Sequence, residues 1–269
     1  MSATASSSEQ TTAAAAAAAA SSSSGAWDWE SRFFSTITGF GADHTTTLSA
    51  SGRRVLSSMG PAETYGEITS AGIRSVLRLV GPLLGEEDHM VDLGSGVGKV
   101  VAQFAHETRC GRCLGVELGE RRHRGAVAAR EAMLVGGRGP ASRTGTGAAP
   151  GTGAEAEAEA ASKAAALRMH FLNSDVLAAP AVEQWAPQSS VIFVNAVCFP
   201  PALWAAIEHV ILTACPRLRF LIIAGPTVAK SDADASRAFH DKFEERAVSS
   251  PGAASWTEGE FSLTLYSRR

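Results

Sequence analysis

The chain has 269 residues, a formal net charge of −3 and 45% hydrophobic residues, which excludes a protein dominated by basic charge. No apolar run approaches the ~20 residues of a membrane-spanning helix, so we expect no membrane segment. The four cysteines include a single C-x-x-C pair, Cys110 and Cys113. A structural zinc site needs two such pairs, or histidines at ligand spacing. We therefore expect reduced thiols and no metal.

Two segments have low-complexity composition. Residues 1–25 are almost entirely Ser, Ala and Thr, and residues 136–166 are rich in Gly, Ala and Glu. We expect both to be disordered, because they cannot bury enough apolar surface to offset the entropy of ordering. An organelle transit peptide is the alternative for the leader. The remainder fits an N-terminal extension (26–62) and one domain (63–269) that contains the second segment as an insert.

Helical and strand patterns alternate along this domain. Apolar residues at helical spacing between Ala71 and Leu84 predict a helix. The stretches predicted as strands are 89–93, 113–118, 167–175, 190–195, 220–225 and 260–268, with helices in between. This order predicts an α/β fold with a doubly wound, seven-stranded, mostly parallel sheet of Rossmann-like type and a terminal antiparallel pair. The insert should emerge at the sheet edge opposite the ligand crevice.

The stretch "MVDLGSGVGKVV", from Met90 to Val101, has the glycine spacing of a cofactor loop. A Walker loop is excluded, because Leu93 and Val100 stand where it needs glycine and a hydroxyl residue. A dinucleotide fingerprint is excluded because its third glycine would fall on Lys99 or Val101. The pattern that remains is Asp-x-Gly-x-Gly-x-Gly.

An acidic residue ends each of the first three predicted strands: Asp92, Glu117 and Asp175. Asp92 would repel a pyrophosphate but suits the ammonium and sulfonium of S-adenosylmethionine. Glu117 can accept hydrogen bonds from ribose hydroxyls, and Asp175 is placed to reach the adenine amino group. Alternatively, Glu117 and Asp175 only cap helices. Together the acids and glycines favour an S-adenosylmethionine-dependent methyltransferase.

Four blocks resemble the Dot1 family of histone H3 lysine-79 methyltransferases, which have the class I methyltransferase fold. The blocks are "ETYGEI" (63–68), "VDLGSGVGKVVAQFAHETRCGRCLGVEL" (91–118), "SVIFVN" (190–195) followed by Phe199, and "SWT" (255–257). The resemblance implies a protein-lysine N-methyltransferase in the nucleus that acts on histone H3 in nucleosomes. Separately, we expect a monomer and weak DNA contact through arginine-rich patches.

The resemblance assigns roles residue by residue. The implied cofactor-binding residues are Tyr65, Gly66, Glu67, Asp92, Leu93, Gly94, Ser95, Gly96, Gly98, Glu117, Asp175, Val176 and Asn195. The implied catalytic residues, at the transfer point or along the lysine channel, are Asn195, Tyr65, Phe199 and Trp256. Ordinary core packing is the alternative for Phe199 and Trp256.

The chain departs from the family mainly in the channel. Val197 and Leu263 stand where aromatic residues are expected, unless Tyr266 replaces the second through a change of register. There is also no lysine-rich arm of the kind that holds nucleosomal DNA. Two alternatives therefore stay open: a methyltransferase of a non-histone protein or small molecule, and a catalytically silent cofactor-binding interaction module. Methylation of a flipped base is disfavoured, because Ala196 and Val197 replace the usual Pro-Pro-aromatic run.

Overall fold

The structure is a computed structural model that describes residues 29–37, 68–135, 153–230, 233–254 and 260–269. Four predicted site residues lie outside this part of the chain: Tyr65, Gly66, Glu67 and Trp256. So do the leader and most of the N-terminal extension. Within the described part, no helix has the length and apolar character to cross a membrane. The same residues contain no cluster of His, Cys, Asp or Glu that could hold a metal ion.

The described strands form one seven-stranded sheet in the order β3-β2-β1-β4-β5-β7-β6. Pairs among β1 to β5 are parallel, whereas β7 runs antiparallel to β5 and β6. The strands are β1 (His89–Leu93), β2 (Arg112–Glu117), β3 (Met169–Asn173), β4 (Val191–Asn195), β5 (Phe220–Ala224), β6 (Phe243–Pro251) and β7 (Glu260–Arg268). The predicted doubly wound sheet with its antiparallel pair is confirmed.

Helices connect the parallel strands and cover the sheet. They are α1 (Trp29–Ile37), α2 (Ser70–Val80) with a 3₁₀ turn at Gly81–Leu83, α3 (Lys99–Glu107), α4 (Glu120–Val135), α5 (Gly153–Arg168), α6 (Ala179–Trp185), α7 (Pro201–Ala214) and α8 (Asp234–Lys242). Pro201 begins α7, where a missing N–H has no cost.

The strands are apolar on both faces, so two cores lie on opposite sides of the sheet. One core contains Met90 and Phe193 together with residues of α2, α3, α4 and α5. The other contains Val91 and Ile192 together with residues of α6, α7 and α8. Because side chains alternate along a strand, Asp92 lies on the face of Met90.

The chain reverses its winding direction between β1 and β4. It runs outward from β1 through β2 to β3 and then returns to place β4 on the other side of β1. At such a switch point, the loops that leave two neighbouring strands diverge and open a crevice at the carboxyl ends. The residues that follow β1 and β4 are therefore positioned to line a ligand site.

The predicted disorder of the insert is wrong for its second half. Residues 153–168 form α5, in which Ser162, Ala165 and Ala166 are buried. Alanine has the highest helix propensity, and Lys163 pairs with Glu159 one turn earlier at 2.9 Å. A composition that looked too simple to fold therefore forms a helix that packs through small side chains. Residues 136–152 lie outside the described part.

Candidate functional site

The loop after β1 has a fixed, left-handed backbone. Gly94, Gly96 and Gly98 have φ values of +89°, +56° and +83°, a region that residues with a Cβ rarely adopt. The N–H groups of Gly94 and Ser95 both donate to the carbonyl oxygen of Val116 in β2, at 2.9 and 3.0 Å. The loop is thereby tied to the neighbouring strand, and Gly98 leads directly into α3.

An open cavity lies against this loop at the carboxyl ends of β1 and β4. It brings together five of the predicted site residues: Asp92, Gly94, Ser95, Gly96 and Asn195. Its other lining residues are Ile68, Val97, Lys99, Val100 and Phe193. The crevice that the topology predicts therefore coincides with the residues that the sequence motif singled out.

Asp92 is a buried acid in an environment that penalises its negative charge. Burial and, secondarily, the charge of Glu117 raise the pKa of Asp92 well above its usual value. A cationic ligand group would relieve this penalty, because an opposite charge nearby favours the ionised carboxylate. The position therefore fits a ligand with an ammonium or a sulfonium.

Glu117, at the end of β2, is held in one orientation by four hydrogen bonds. Its Oε1 accepts from the Gly119 N–H at 2.5 Å and from Arg122 Nη2 and Nε at 2.7 and 3.1 Å. Its Oε2 accepts from the Gly96 N–H at 2.8 Å. A carboxylate oxygen has two lone pairs, so Oε2 can accept one more hydrogen bond, as a ribose hydroxyl would supply.

Arg122 is the functional residue that sequence reasoning missed. It belongs to the charged run Glu120–Arg124, a pattern that is typical of a solvated helix face. The pair it forms with Glu117 is instead mostly buried, with exposed fractions of 14% and 6% for the two side chains. A basic residue five positions after an acid at a strand end was the available signal, and only the start of α4 brings the two together.

Asp175, after β3, is compatible with both interpretations that the sequence left open. Its Oδ1 accepts a hydrogen bond from the Leu177 N–H at 2.9 Å, so it does stabilise the turn that leads to α6. This bond occupies one carboxylate oxygen, and the second can still accept from a ligand. Val176 is buried, and its carbonyl oxygen accepts from the indole of Trp185 at 3.0 Å.

On the acceptor side, Phe199 lies over the glycine loop. A Cβ on Gly94 would be 3.2 Å from Phe199 Cζ, so this glycine allows the ring its close approach. Val197, between Asn195 and Phe199, is 40% exposed and does not form a closed channel wall. Within the described residues, the glycine loop is therefore more enclosed than the region around Val197.

The suggestion that Tyr266 replaces a channel tyrosine is wrong. Leu263 and Tyr266 are both fully buried, but in cores on opposite faces of the sheet. The Tyr266 hydroxyl accepts a hydrogen bond from the Val228 N–H at 3.1 Å, on the face away from Asp92. An odd separation of three positions along one strand sends the two side chains to opposite faces.

Comparison with solved structures decides the fold. The structure of a "putative O-methyltransferase" from Klebsiella pneumoniae superposes with a TM-score of 0.52 at 13% identity, covering 91% of both chains. The chain has the class I methyltransferase fold. The magnesium protoporphyrin IX methyltransferase of Synechocystis PCC 6803 is also similar, with a TM-score of 0.44 at 14% identity over 92% of this chain and all of that one. S-adenosylmethionine is the methyl donor of class I enzymes, so the fold agrees with the predicted cofactor.

Part of the sequence also matches the model of one protein family. Residues 56–134 match the family described as histone methylation protein DOT1. The matched segment contains the glycine loop, Asp92, Glu117 and Arg122, and it ends before Asp175 and Asn195. No curated protein matches the sequence. The predicted resemblance to this family is therefore confirmed over residues 56–134.

Proposed function

We propose that this methyltransferase is a DOT1-type protein-lysine N-methyltransferase that uses S-adenosylmethionine and acts on histone H3 in nucleosomes in the nucleus. One observation carries the proposal. Asp92, the glycine loop and Asn195 line a single cavity at the switch point of the sheet, and the loop belongs to the segment that matches DOT1.

The residues present fit the proposed cofactor. When bound, S-adenosylmethionine supplies a methyl group on a positively charged sulfur. The Asp92 carboxylate would interact with the cationic methionine end, because burial and the charge of Glu117 penalise its ionised form until a cation is present. Glu117 would accept a hydrogen bond from the ribose through Oε2. Asp175, with one oxygen already committed to its turn, would accept from the adenine amino group.

The chemistry on the acceptor side requires a neutral amine in a dry, aligned position. Ile68, Val97 and Phe193 give the cavity apolar walls, which disfavour an ammonium and lower a lysine pKa. The Asn195 side chain would orient the amine, because an amide can accept from N–H without taking a charge. Phe199 would shield the loop from water at the point where it covers Gly94.

The test is methyl transfer from labelled S-adenosylmethionine to whole nucleosomes. We expect label on histone H3, and loss of that label on nucleosomes in which lysine-79 of histone H3 is arginine. Asn195→Ala should reduce the rate at least tenfold while leaving cofactor binding within about threefold (~0.7 kcal/mol). Cofactor binding without label on any histone would remove the histone substrate and retain the fold.

Methylation of a non-histone protein or a small molecule is the second candidate. The exposure of Val197 favours it, because an open wall next to Asn195 would admit groups other than a lysine side chain. A methylation screen on cell extract distinguishes the two substrates. Label confined to non-nuclear proteins or to small molecules would support the second candidate against the first.

A further inference from the structure

A second cavity lies along the edge of the sheet. It is open to solvent and wraps around β3, the edge strand. Arg112, Arg130, His170 and Gln184 line it, together with apolar residues of β2, β3 and α4. Arg112 begins β2 and His170 is the second residue of β3. Phe171 and Leu172 line it as well, so the cavity runs along β3 from the amino end of that strand.

Strand register brings the basic groups into a row. His89 pairs with Arg112 across β1 and β2, and Leu114, two residues after Arg112, pairs with His170 across β2 and β3. Residues two apart point to the same face, so all three basic side chains lie on one face of the sheet. Arg130 belongs to α4, which packs on the opposite face, so its side chain reaches the cavity around the edge of β3. Its Nε donates to the carbonyl oxygen of Ala166 at 3.1 Å.

Among the described residues, Glu87 and Asp88 act electrostatically on His89, but neither of them lines the cavity. No acidic residue is among those that line the cavity, and no salt bridge involves Arg112 or Arg130. The Nε of Arg112 and the Nδ1 of His89 are buried, and the described residues offer neither a hydrogen-bond partner. Burial, and then the charges of Arg112, Arg130 and His89, lower the pKa of His170. A buried N–H of a basic side chain that finds no acceptor destabilises the fold.

From this geometry we infer that the cavity formed by Arg112, Arg130 and His170 binds the phosphate group of a ligand. Two guanidinium groups and an imidazole that approach from three different elements suit a tetrahedral, multiply charged oxyanion. A planar carboxylate would satisfy one guanidinium and leave the other cations uncompensated. The phosphate could belong to a small molecule or to a nucleic-acid backbone, since both present the same oxygens.

The test uses inorganic pyrophosphate and, separately, a short duplex DNA as probes in calorimetric titrations of the full chain. Arg112→Gln and Arg130→Gln should each weaken binding of the probe at least tenfold. Arg124→Gln, which removes an exposed arginine from the same helix as Arg130, is the matched control and should change it less than twofold. Binding should also weaken as salt increases. A DNA signal without a pyrophosphate signal assigns the phosphate to a nucleic acid, and the reverse assigns it to a small molecule.

Two controls separate this site from the cofactor loop and from misfolding. Thermal unfolding of each variant verifies the fold, and the titration is repeated with S-adenosylhomocysteine present, which should leave pyrophosphate binding unchanged. The imidazole NMR signal of His170 should titrate at higher pH when pyrophosphate is bound. No binding of either probe to the unmodified protein, or equal effects of Arg112→Gln and Arg124→Gln, would overturn the inference. Neither result depends on which acceptor the enzyme methylates.

Discussion

Arg122 clamps one oxygen of Glu117 and leaves the other directed at the glycine loop. Both guanidinium contacts, at 2.7 and 3.1 Å, are to Oε1, whereas Oε2 accepts from the Gly96 N–H at 2.8 Å. The pair is mostly buried, so neither charge is well solvated. Arg122 is therefore placed as a positioning residue for the carboxylate proposed to hold the ribose.

Arg122→Ala should weaken cofactor binding about tenfold or more, because it frees Glu117 to rotate and leaves its charge without a guanidinium. The effect should appear in the KM for the cofactor more than in kcat. Arg122→Lys should recover part of the affinity, since it restores the charge without the two-pronged contact. Arg124→Ala is the control, and equal losses in both alanine variants would contradict the assignment.

Asp92→Asn should raise stability at neutral pH and weaken cofactor binding. The pKa of Asp92 is raised in the folded state, so the folded protein holds this proton more tightly than the unfolded chain. Its contribution to stability is present below the unfolded value near 3.8 and is lost as pH rises through the folded pKa. A neutral amide removes that loss, and each kcal/mol gained corresponds to roughly 2–4 °C in Tm.

Calorimetry with S-adenosylhomocysteine and thermal unfolding at pH 5 and pH 8 check the Asp92 prediction. The gain in Tm should be larger at pH 8 than at pH 5, and affinity for the cofactor product should drop by about tenfold or more, the loss of one charge-assisted interaction. A variant that is less stable at pH 8 would show that Asp92 stabilises the fold instead of serving the ligand.

Gly98→Ala should destabilise the domain by about 1–3 kcal/mol. The new Cβ would lie 2.7 Å from the Phe171 ring, at a φ of +83° that disfavours any side chain. Gly85→Ala is a matched control, because nothing lies within 4 Å of its Cβ position and its φ is not in the left-handed region. Denaturant unfolding should show little change for Gly85→Ala; similar losses in both variants would argue against strain in the loop.

His106 should make the protein sensitive to acid. Its ring stacks on Trp29 of α1 at 4.2 Å, and burial, followed by the charge of Arg168, lowers the pKa of His106 to about 4. A lowered pKa means that stability present above pH 6.5 is lost as pH falls towards 4, with a slope of up to about 1.4 kcal/mol per pH unit.

His106→Gln should flatten this slope in urea unfolding measured between pH 7 and pH 4. His209→Gln, at an exposed position on α7, serves as the control and should leave the slope unchanged. An unaltered slope in the His106 variant would mean that another group controls the acid transition. The measurement also reports on α1, since the ring stack attaches this helix to α3.

The sequence by itself determined the α/β class, the acidic residues at the ends of the parallel strands and the glycine loop. These features are local: apolar strands end in Asp92 and Glu117, and backbone conformations with positive φ demand glycine. Parallel topology then places successive strand ends at one edge. This is why Asp92, Gly94 and Gly96 could be assigned to one site from the sequence, whereas Ser95 and Asn195 were added by the family resemblance.

Only the tertiary structure decided which side chains meet across elements. It brought Arg122 onto Glu117, sent Tyr266 to the face away from Asp92, and aligned Arg112 with His170 at the far end of the sheet. It also ordered residues 153–168, where buried alanines pack although the composition suggested disorder. Composition and spacing indicate which local structure each segment can form by itself. Strand register and packing determine on which face of the sheet a side chain lies and which charges are close enough to interact.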